Sequence, residues 1–189
     1  SNLIGGRPGL GFKNAMETLD YARPGVAAQA VGAAQGALDY ALAYSARRRQ
    51  FGKPINSFQM VQKMLSDMAM KTEAARCLVH SVASMVDNGR AAEAGKKAAM
   101  AKCFATDTAM EVATDAVQVF GGYGFMEDYP VAKFFRDAKI LQIYEGTNEI
   151  QRMVVARALI KETANLGHLN AFIPKEEQSS FSEEPAKTS

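Results

Sequence analysis

The sequence predicts an all-α fold, an antiparallel bundle of the four-helix type. Three long segments repeat apolar residues at intervals of three and four, which is the spacing of one face of a helix. No segment alternates apolar and polar residues over any length, as a half-buried strand would. Long amphipathic helices joined by short connections bury their apolar stripes against one another, so an antiparallel bundle follows.

The first long helix is predicted over residues 24–49. Pro24 is compatible with a first helical turn, where its missing N–H would have no partner. The apolar stripe of this helix consists of Ala27, Ala30, Val31, Ala34, Leu38, Ala41 and Leu42. The preceding residues, 1–12, are rich in glycine, and we interpret them as an extended lead-in from a preceding domain. Residues 13–164 then form the bundle domain.

The second and third helices follow at short intervals. Ser57 is placed to cap the start of the second helix and Gly89 to close its end. Its stripe is Val61, Met64, Leu65, Met68, Thr72, Ala75, Leu78, Val79, Val82, Met85 and Val86. The third stripe is Ala94, Ala98, Ala101, Ala105, Thr108, Val112, Ala116 and Val119. These small residues predict close contact with a neighbouring helix.

The segment "GGYGFMEDYP" interrupts the pattern, and two shorter helices are predicted after it. The first covers residues 130–144 and turns Val131, Phe134, Phe135 and Leu141 inward. The second begins near Thr147, a suitable N-cap, and turns Ile150, Met153, Val154 and Ala158 inward. Residues 165–189 are polar, with abundant Glu, Ser and Pro, and we expect them to be disordered.

Composition excludes several functional classes. The formal net charge is +2, and the basic run Arg47 to Arg49 is too short to indicate nucleic-acid binding. No apolar run reaches the roughly 20 residues that span a bilayer, so no transmembrane segment is expected. Cys77 and Cys103 lie within apolar helical stretches, and we interpret both as small core residues in a reducing compartment.

A metal site and a nucleotide-binding loop are not predicted. A di-iron site in a bundle needs inward Glu-x-x-His pairs, and neither His80 nor His168 has a glutamate three residues before it. "GGYGF" resembles a dinucleotide motif only loosely, because no strand precedes it.

Polar residues at helix ends remain as candidates, each with a purely structural alternative. Glu145 stands at a glycine-flanked break in "QIYEGTNEIQ", where a lone glutamate is usually solvated. Arg48, Gln50 and Gln59 surround a turn that is also an ordinary basic helix end. Gln118 precedes Gly121 and Gly122, which can simply stop a helix or allow close approach of a flat or phosphorylated ligand.

Taken together, these segments carry a resemblance. Four motifs occur in the same order and at the same spacing as in a known protein family. They are "DYARP" at 20–24, "RRRQFGKPINSFQ" at 47–59, "TDAVQVFGGYGF" at 114–125 and "YPVAKFFRDAKILQIYEGTNEIQR" at 129–152. On these motifs the chain resembles the C-terminal helical domain of the acyl-CoA dehydrogenases over residues 12–162. Enzymes of that family oxidise an acyl-CoA to the 2,3-enoyl-CoA, with FAD as hydride acceptor.

The resemblance implies that Glu145 is the catalytic base, which removes a proton from the carbon next to the thioester carbonyl. Tyr144 and Gly146 would lie beside the substrate. Some family members carry the base in the "DYAR" region instead, and that position is Ala22 here. The chain is therefore similar to the short-chain, medium-chain and glutaryl types.

The resemblance also implies where the cofactor and the CoA end bind. The matching FAD positions are Arg48, Gln50, Phe51 and Gln59 across a dimer interface, Gln118, Gly121 and Gly122 at the adenine end, and Thr147 and Glu149 beside the flavin. Asp20 and Arg23 match residues that hold the CoA end of the substrate.

The implied assembly is a homo-oligomer, a dimer of dimers, with electron-transfer flavoprotein as electron acceptor. The implied location is the bacterial cytoplasm or the mitochondrial matrix. Two alternatives stay open: an acyl-CoA oxidase, which uses the same base and flavin, and a non-catalytic oligomerisation module. The family's N-terminal and middle domains are not among these residues, so the chain alone is expected to be inactive.

Overall fold

The computed structural model describes residues 3–163, except for the side chains of residues 91 and 92, and it is almost entirely helical. The helices are α1 (Gly11–Arg47), α2 (Gln59–Asp87), α3 (Ala91–Phe120), α4 (Gly122–Phe125), α5 (Pro130–Leu141) and α6 (Asn148–Glu162). The all-α prediction is confirmed. The predicted disorder of residues 165–189 lies outside the described residues.

A small hairpin that the sequence did not predict separates α1 from α2. Strand β1 (Arg49–Gln50) pairs antiparallel with β2 (Lys53–Pro54), and a 3-10 turn over Ile55–Ser57 follows. Phe51 and Gly52 form its tip, with φ of +50° and +78°. The strands are two residues long, too short to give a pattern of alternating side chains.

Helix α1 begins at Gly11, so the predicted start at Pro24 is wrong, and the helix already includes the end of the predicted lead-in. Pro24 lies inside the helix, where it removes one backbone hydrogen bond. The buried Arg23 pairs with Asp20, one turn earlier, across 2.5 Å. The helix therefore keeps a side-chain contact at the turn where the proline removes a backbone bond.

The core of the bundle is built mainly from small side chains. Helices α1, α2 and α3 pack against one another, and α5 packs on α1 and α3. A Cβ added to Gly36 of α1 would lie 2.8 Å from the ring of Phe134 on α5, so this glycine sets how closely the two helices approach. The predicted stripe of α3 is buried throughout. On α1, Leu42 is an exception and is exposed, because it lies one position beyond the buried Ala41.

Several inward-facing predictions for the later helices are wrong. Phe135 of α5 is exposed, as are Ile150 and Met153 of α6. Helix α6 instead buries two polar residues, Asn148 and Gln151. The apolar residues of α6 therefore predict the wrong inward face, because the side chains on its inward face form hydrogen bonds and are not apolar.

Two smaller predictions also fail. Ser57 does not cap α2, since its hydroxyl donates to the carbonyl oxygen of Pro54 at 2.6 Å. Cys77 is exposed rather than part of the core, while Cys103 is buried, and both are free thiols. Gly89 does end α2 as predicted, with φ of +73°.

The chain divides into two compact units, residues 1–155 and residues 156–189. The first contains the bundle and the start of α6. The described part of the second is the remainder of α6 and Thr163. Among the described residues, no helix combines the length and apolarity needed to cross a bilayer.

Candidate active site

The loop between α5 and α6, residues 142–147, contains a glutamate in a strained conformation. Glu145 has a φ of +55° and Gly146 a φ of +88°. Residues with a side chain rarely adopt this left-handed conformation, whereas glycine does so readily. Glu145 is half-buried, and its carboxylate forms no hydrogen bond or ion pair with the residues that the structure describes. The loop thus presents an unpaired carboxylate whose position is set by the backbone.

Two buried side chains bind the carbonyl oxygens of this loop. Gln151 Nε2 donates to the carbonyl oxygens of Gly146 and Glu145 at 3.0 and 3.3 Å. Lys102 Nζ, from α3, donates to the Gly146 carbonyl at 2.9 Å. A Cβ on Gly146 would lie 2.6 Å from Gln151 Nε2 and would displace that amide, and the positive φ of Gly146 independently favours glycine.

The Lys102 ammonium is fully buried and forms a second hydrogen bond, to Asn148 Oδ1 at 2.9 Å. Burial lowers the pKa of Lys102, the nearby Arg23 acts in the same direction, and Asp107 and Glu149 oppose them. Asn148 in turn donates to Thr106 Oγ1 at 2.8 Å. Lysine, threonine and asparagine therefore form one hydrogen-bonded group between α3 and the start of α6.

Asp107 extends this group to the surface. It accepts hydrogen bonds from Asn148 at 2.7 Å, from Gln142 at 2.6 Å and from Arg152 at 2.5 Å. Burial alone raises the pKa of Asp107, but these hydrogen bonds outweigh burial, so its pKa lies below the ordinary value. Both ends of the 142–147 loop are thereby connected to a single carboxylate on α3.

A cavity of about 540 Å³ lies where the ends of α1 and α3 meet. Its lining is Tyr44, Arg48, Gln50, Ile55, Val119, Phe120, Gly121, Gly122, Tyr123 and Met126. The Arg48 guanidinium carbon lies 5.2 Å from the centre of the Tyr123 ring, a cation–π distance. A Cβ on Gly121 or Gly122 would meet no atom within 4 Å, so the backbone is open to a ligand there. A cation, aromatic walls and open glycines suit a flat ligand that carries negative charge.

Three other predicted cofactor residues do not line this cavity. Phe51 is at the exposed hairpin tip, edge-on to Phe58 at a ring separation of 6.1 Å. Gln59 is exposed at the start of α2, and Gln118 is exposed near the end of α3. As placed, these three side chains face solvent on the monomer.

Thr147 and Glu149 line a different cavity, of about 420 Å³, together with Asp107, Lys139, Gln142, Ile143, Asn148 and Arg152. Thr147 Oγ1 accepts from the backbone N–H of Ile150 at 3.4 Å, which supports its prediction as the cap of α6. A hydrogen bond from its own backbone N–H, followed by one from Thr147, holds the pKa of Glu149 below its usual value. Thr147 and Glu149 thus lie in a largely polar cavity at the start of α6.

The residues predicted to hold the substrate are divided between surface and interior. Tyr144 donates a hydrogen bond to Gln29 of α1, and burial raises the pKa of its hydroxyl. Asp20 is half-exposed, but the Arg23 side chain is only 6% exposed, and its Nε atom has no hydrogen-bond partner among residues 3–163. In this conformation, Arg23 offers little surface to a ligand in solvent.

The sequence reasoning missed the buried polar group behind the loop. The sequence did not predict burial of this group, because polar residues on helices are usually solvated. Its members are Lys102, Thr106, Asn148 and Gln151. One signal was available: Lys102 is four residues after Ala98 and three before Ala105, so it falls on the buried face of α3. Among the described residues, no three His, Cys, Asp or Glu side chains are grouped as a metal site.

Comparison with known proteins gives a consistent result. Residues 9–160 match the family described as "Acyl-CoA dehydrogenase, C-terminal domain". The chain is 60% identical over 156 residues to "Probable acyl-CoA dehydrogenase FadE25" of Mycobacterium tuberculosis, covering 82% of this chain and 40% of that protein. It is 47% identical over 157 residues to the "Caffeyl-CoA reductase-Etf complex subunit CarC" of Acetobacterium woodii, covering 83% and 41%.

Among solved structures, the butyryl-CoA dehydrogenase of Megasphaera elsdenii superposes with a TM-score of 0.80 at 55% identity. That match covers 82% of this chain and 40% of the other. The chain therefore spans about two fifths of the length of the relatives it matches.

Proposed function

Because this chain belongs to the acyl-CoA dehydrogenase family, we propose that it forms the C-terminal domain of an FAD-dependent enzyme that oxidises an acyl-CoA to the 2,3-enoyl-CoA. The observation that carries the proposal is the conformation of Glu145. Its carboxylate has no partner among the described residues, and it stands on a backbone turn that buried side chains stabilise. A glutamate with only a solvated loop role needs neither the strained φ nor these contacts.

In the proposed mechanism, Glu145 is the general base. Its carboxylate accepts the proton from the carbon next to the thioester carbonyl, a hydride leaves the neighbouring carbon, and a double bond forms between the two carbons. When bound, FAD supplies the acceptor for that hydride at its N5 atom. A carboxylate in water is a weak base for such a C–H bond, and removal of water by the bound acyl chain makes it a stronger one.

The chain's own residues fit an FAD molecule on chemical grounds. In the cavity at the ends of α1 and α3, Arg48 and Gln50 offer a cation and an amide, and Gly121 and Gly122 offer open backbone. These groups would hold the diphosphate and adenine portions. Gln118 would lie beside them, and Thr147 and Glu149 would contact the flavin. Contacts to the cofactor of a neighbouring subunit would come from Arg48, Gln50, Phe51 and Gln59.

For the substrate, we assign Tyr144 and Gly146 to contacts beside the reacting carbons, since both flank the base. Asp20 and Arg23 would act at the CoA end. Within the Arg23–Asp20 pair, Asp20 is the more exposed residue, which favours it as the direct contact.

The proposed assembly is a homo-oligomer, a dimer of dimers. The side chains of Phe51 and Met60 are 91% and 70% exposed beside the hairpin, and a second subunit would cover them. The proposed electron acceptor is an electron-transfer flavoprotein, a choice supported by the relative named as a subunit of an Etf complex. A cytoplasmic location is proposed because the relatives described above are bacterial.

The test is Glu145→Gln in the full-length, FAD-loaded enzyme. Glutamine keeps the size of the side chain but cannot accept the proton, so flavin reduction by acyl-CoA should slow by about 10³-fold or more. Anaerobic stopped-flow absorbance measures the reduction, and Glu73→Gln, an exposed site on α2, is the matched control. Reduction within about tenfold of the wild-type rate would place the base elsewhere. Rapid reoxidation of the reduced enzyme by oxygen would instead identify an acyl-CoA oxidase.

A further inference from the structure

The strained turn at Glu145 requires specific support. Two consecutive residues have positive φ, and the first of them is not glycine. Such conformations persist where the surrounding structure holds them, and they are most often found at functional sites. The support here is not local, since the Gly146 carbonyl receives donors from two different helices, Lys102 of α3 and Gln151 of α6.

Lys102 is an unexpected residue for this task. Its side chain is fully buried, and its two hydrogen-bond acceptors, a carbonyl and an amide oxygen, are both uncharged. Its ammonium contacts Asn148 at the start of α6, where the helix dipole is positive and disfavours a cation. Burial is the largest effect that lowers the pKa of Lys102, and the attraction of Asp107 and Glu149 only partly opposes it, while Arg23 adds a weaker repulsion. An apolar side chain would avoid these unfavourable terms.

The Lys102 side chain is nevertheless long enough to reach the loop and to orient the groups that it contacts there. Its side chain extends from the middle of the apolar face of α3 to the loop and contacts it on both sides of Thr147, at Gly146 O and at Asn148 Oδ1. An ammonium donates up to three hydrogen bonds and accepts none, so it orients two acceptors toward one point. The carbonyl it orients belongs to the residue directly after the base.

We propose that Lys102 is a positioning residue for the base, holding the Gly146 carbonyl so that Glu145 stays in its left-handed conformation. Gln151 acts with it on the carbonyl oxygens of Glu145 and Gly146. The inference rests on the proposed function of Glu145, because it assigns to Lys102 the placement of that carboxylate. Lys102 itself takes no part in the proton transfer.

The experiment compares Lys102→Met with the wild type in the full-length, FAD-loaded enzyme. The substrate is the straight-chain acyl-CoA that the wild type oxidises fastest. Because small displacements of a catalytic group are costly, the flavin reduction rate at saturation should fall roughly tenfold to a hundredfold, with Kd for the acyl-CoA within about threefold. Thr72→Val is the control, since the buried Thr72 hydroxyl bonds only within α2. Both of its values should stay within about twofold of wild type.

A second measurement does not depend on turnover. Amide hydrogen exchange in the resting enzyme should be about tenfold faster across residues 142–151 in Lys102→Met, and unchanged there in Thr72→Val. If Lys102→Met does not fold, Gln151→Met removes the other donor to the Gly146 carbonyl and should give the same pattern with a smaller effect.

The outcomes separate this inference from the proposed function. If Glu145→Gln abolishes reduction while Lys102→Met reduces its flavin within about threefold of wild type, Lys102 does not position the base, although the proposed function stands. If Glu145→Gln itself reduces its flavin normally, the proposed function fails. Unchanged exchange at residues 142–151 in Lys102→Met also overturns the inference, whatever happens to the rate.

Discussion

Helix α3 buries two kinds of surface, and they serve different purposes. Ala105, Ala109 and Val112 belong to the apolar core, where any tightly packed small residues would satisfy the neighbouring helices. Lys102 and Thr106 are just as buried, but each needs a particular polar partner. Apolar packing determines where the helices lie. The polar contacts determine the backbone of a single loop, and a loss there is not recovered by repacking.

We call the hydrogen-bonded group of Lys102, Thr106, Asp107 and Asn148 the polar junction. Among the substitutions considered, Asn148→Leu should destabilise it most. Leucine has the branching and the number of side-chain heavy atoms of asparagine but no polar group, so Lys102 loses one of its two acceptors and Thr106 and Asp107 each lose a donor. Because a buried cation is left with fewer partners, we expect unfolding free energy to fall by about 3 kcal/mol. Chemical unfolding followed by far-UV circular dichroism measures this.

The control for that variant is Asn88→Leu, at the exposed end of α2, where water can replace the lost hydrogen bond to Ser84. Its effect should be within about 0.5 kcal/mol. Equal effects of the two substitutions would mean that the junction contributes no more than an exposed amide.

Ala109→Leu tests the apolar surface of the same helix. Ala109 has no exposed area, so three added carbon atoms must push neighbouring helices apart or adopt a strained rotamer. Overpacking of this kind typically costs 1–3 kcal/mol, and we expect about 2 kcal/mol in the same unfolding assay. Ala74→Leu on the exposed face of α2 should leave stability nearly unchanged. A tolerated Ala109→Leu would show that the small residues are not set by close packing.

The contrast between the apolar and the polar buried surface of α3 also explains which features could be predicted from the sequence. The stripe of α3 from Ala94 to Val119 was predicted correctly, because burial of apolar residues repeats with the helix period. The start of α6 was predicted correctly from Thr147, because a cap is a local signal. The inward face of α6 was predicted wrongly, since the sequence offered Ile150 and Met153 while the fold buries Asn148 and Gln151.

The candidate site was predictable only where a motif carries it. Glu145 was identified through resemblance, and its glycine neighbour suggested an unusual turn. Of the two residues that support the turn, Lys102 lies more than forty positions away on α3, and no local rule connects it to Gly146. Only the packing of α3 against the start of α6 brings them together. The start of α1 was also misplaced, because Pro24 was interpreted as a proline of the first turn, whereas the helix begins at Gly11 and continues through it.

Asp107→Asn should have the smallest effect on the unfolding free energy. It removes the negative charge at the outer end of the polar junction but keeps the size of the side chain. Hydrogen bonds from Arg152, Asn148 and Gln142 outweigh burial and keep the pKa of Asp107 below its ordinary value, so the carboxylate stabilises the folded state when it is ionised. That contribution is complete above the unfolded-state pKa of about 3.9 and is lost as pH falls through the lower folded-state pKa. Asp107→Asn should therefore lower the unfolding free energy by about 1 kcal/mol at neutral pH, and the difference in unfolding free energy from wild type should shrink below about pH 4.

Asp137→Asn, which loses an exposed pair with Lys133 on α5, should show almost no difference in unfolding free energy from wild type at any pH. A cost for Asp107→Asn that stayed constant down to about pH 2 would assign the effect to the shape of the hydrogen bonds rather than to the charge.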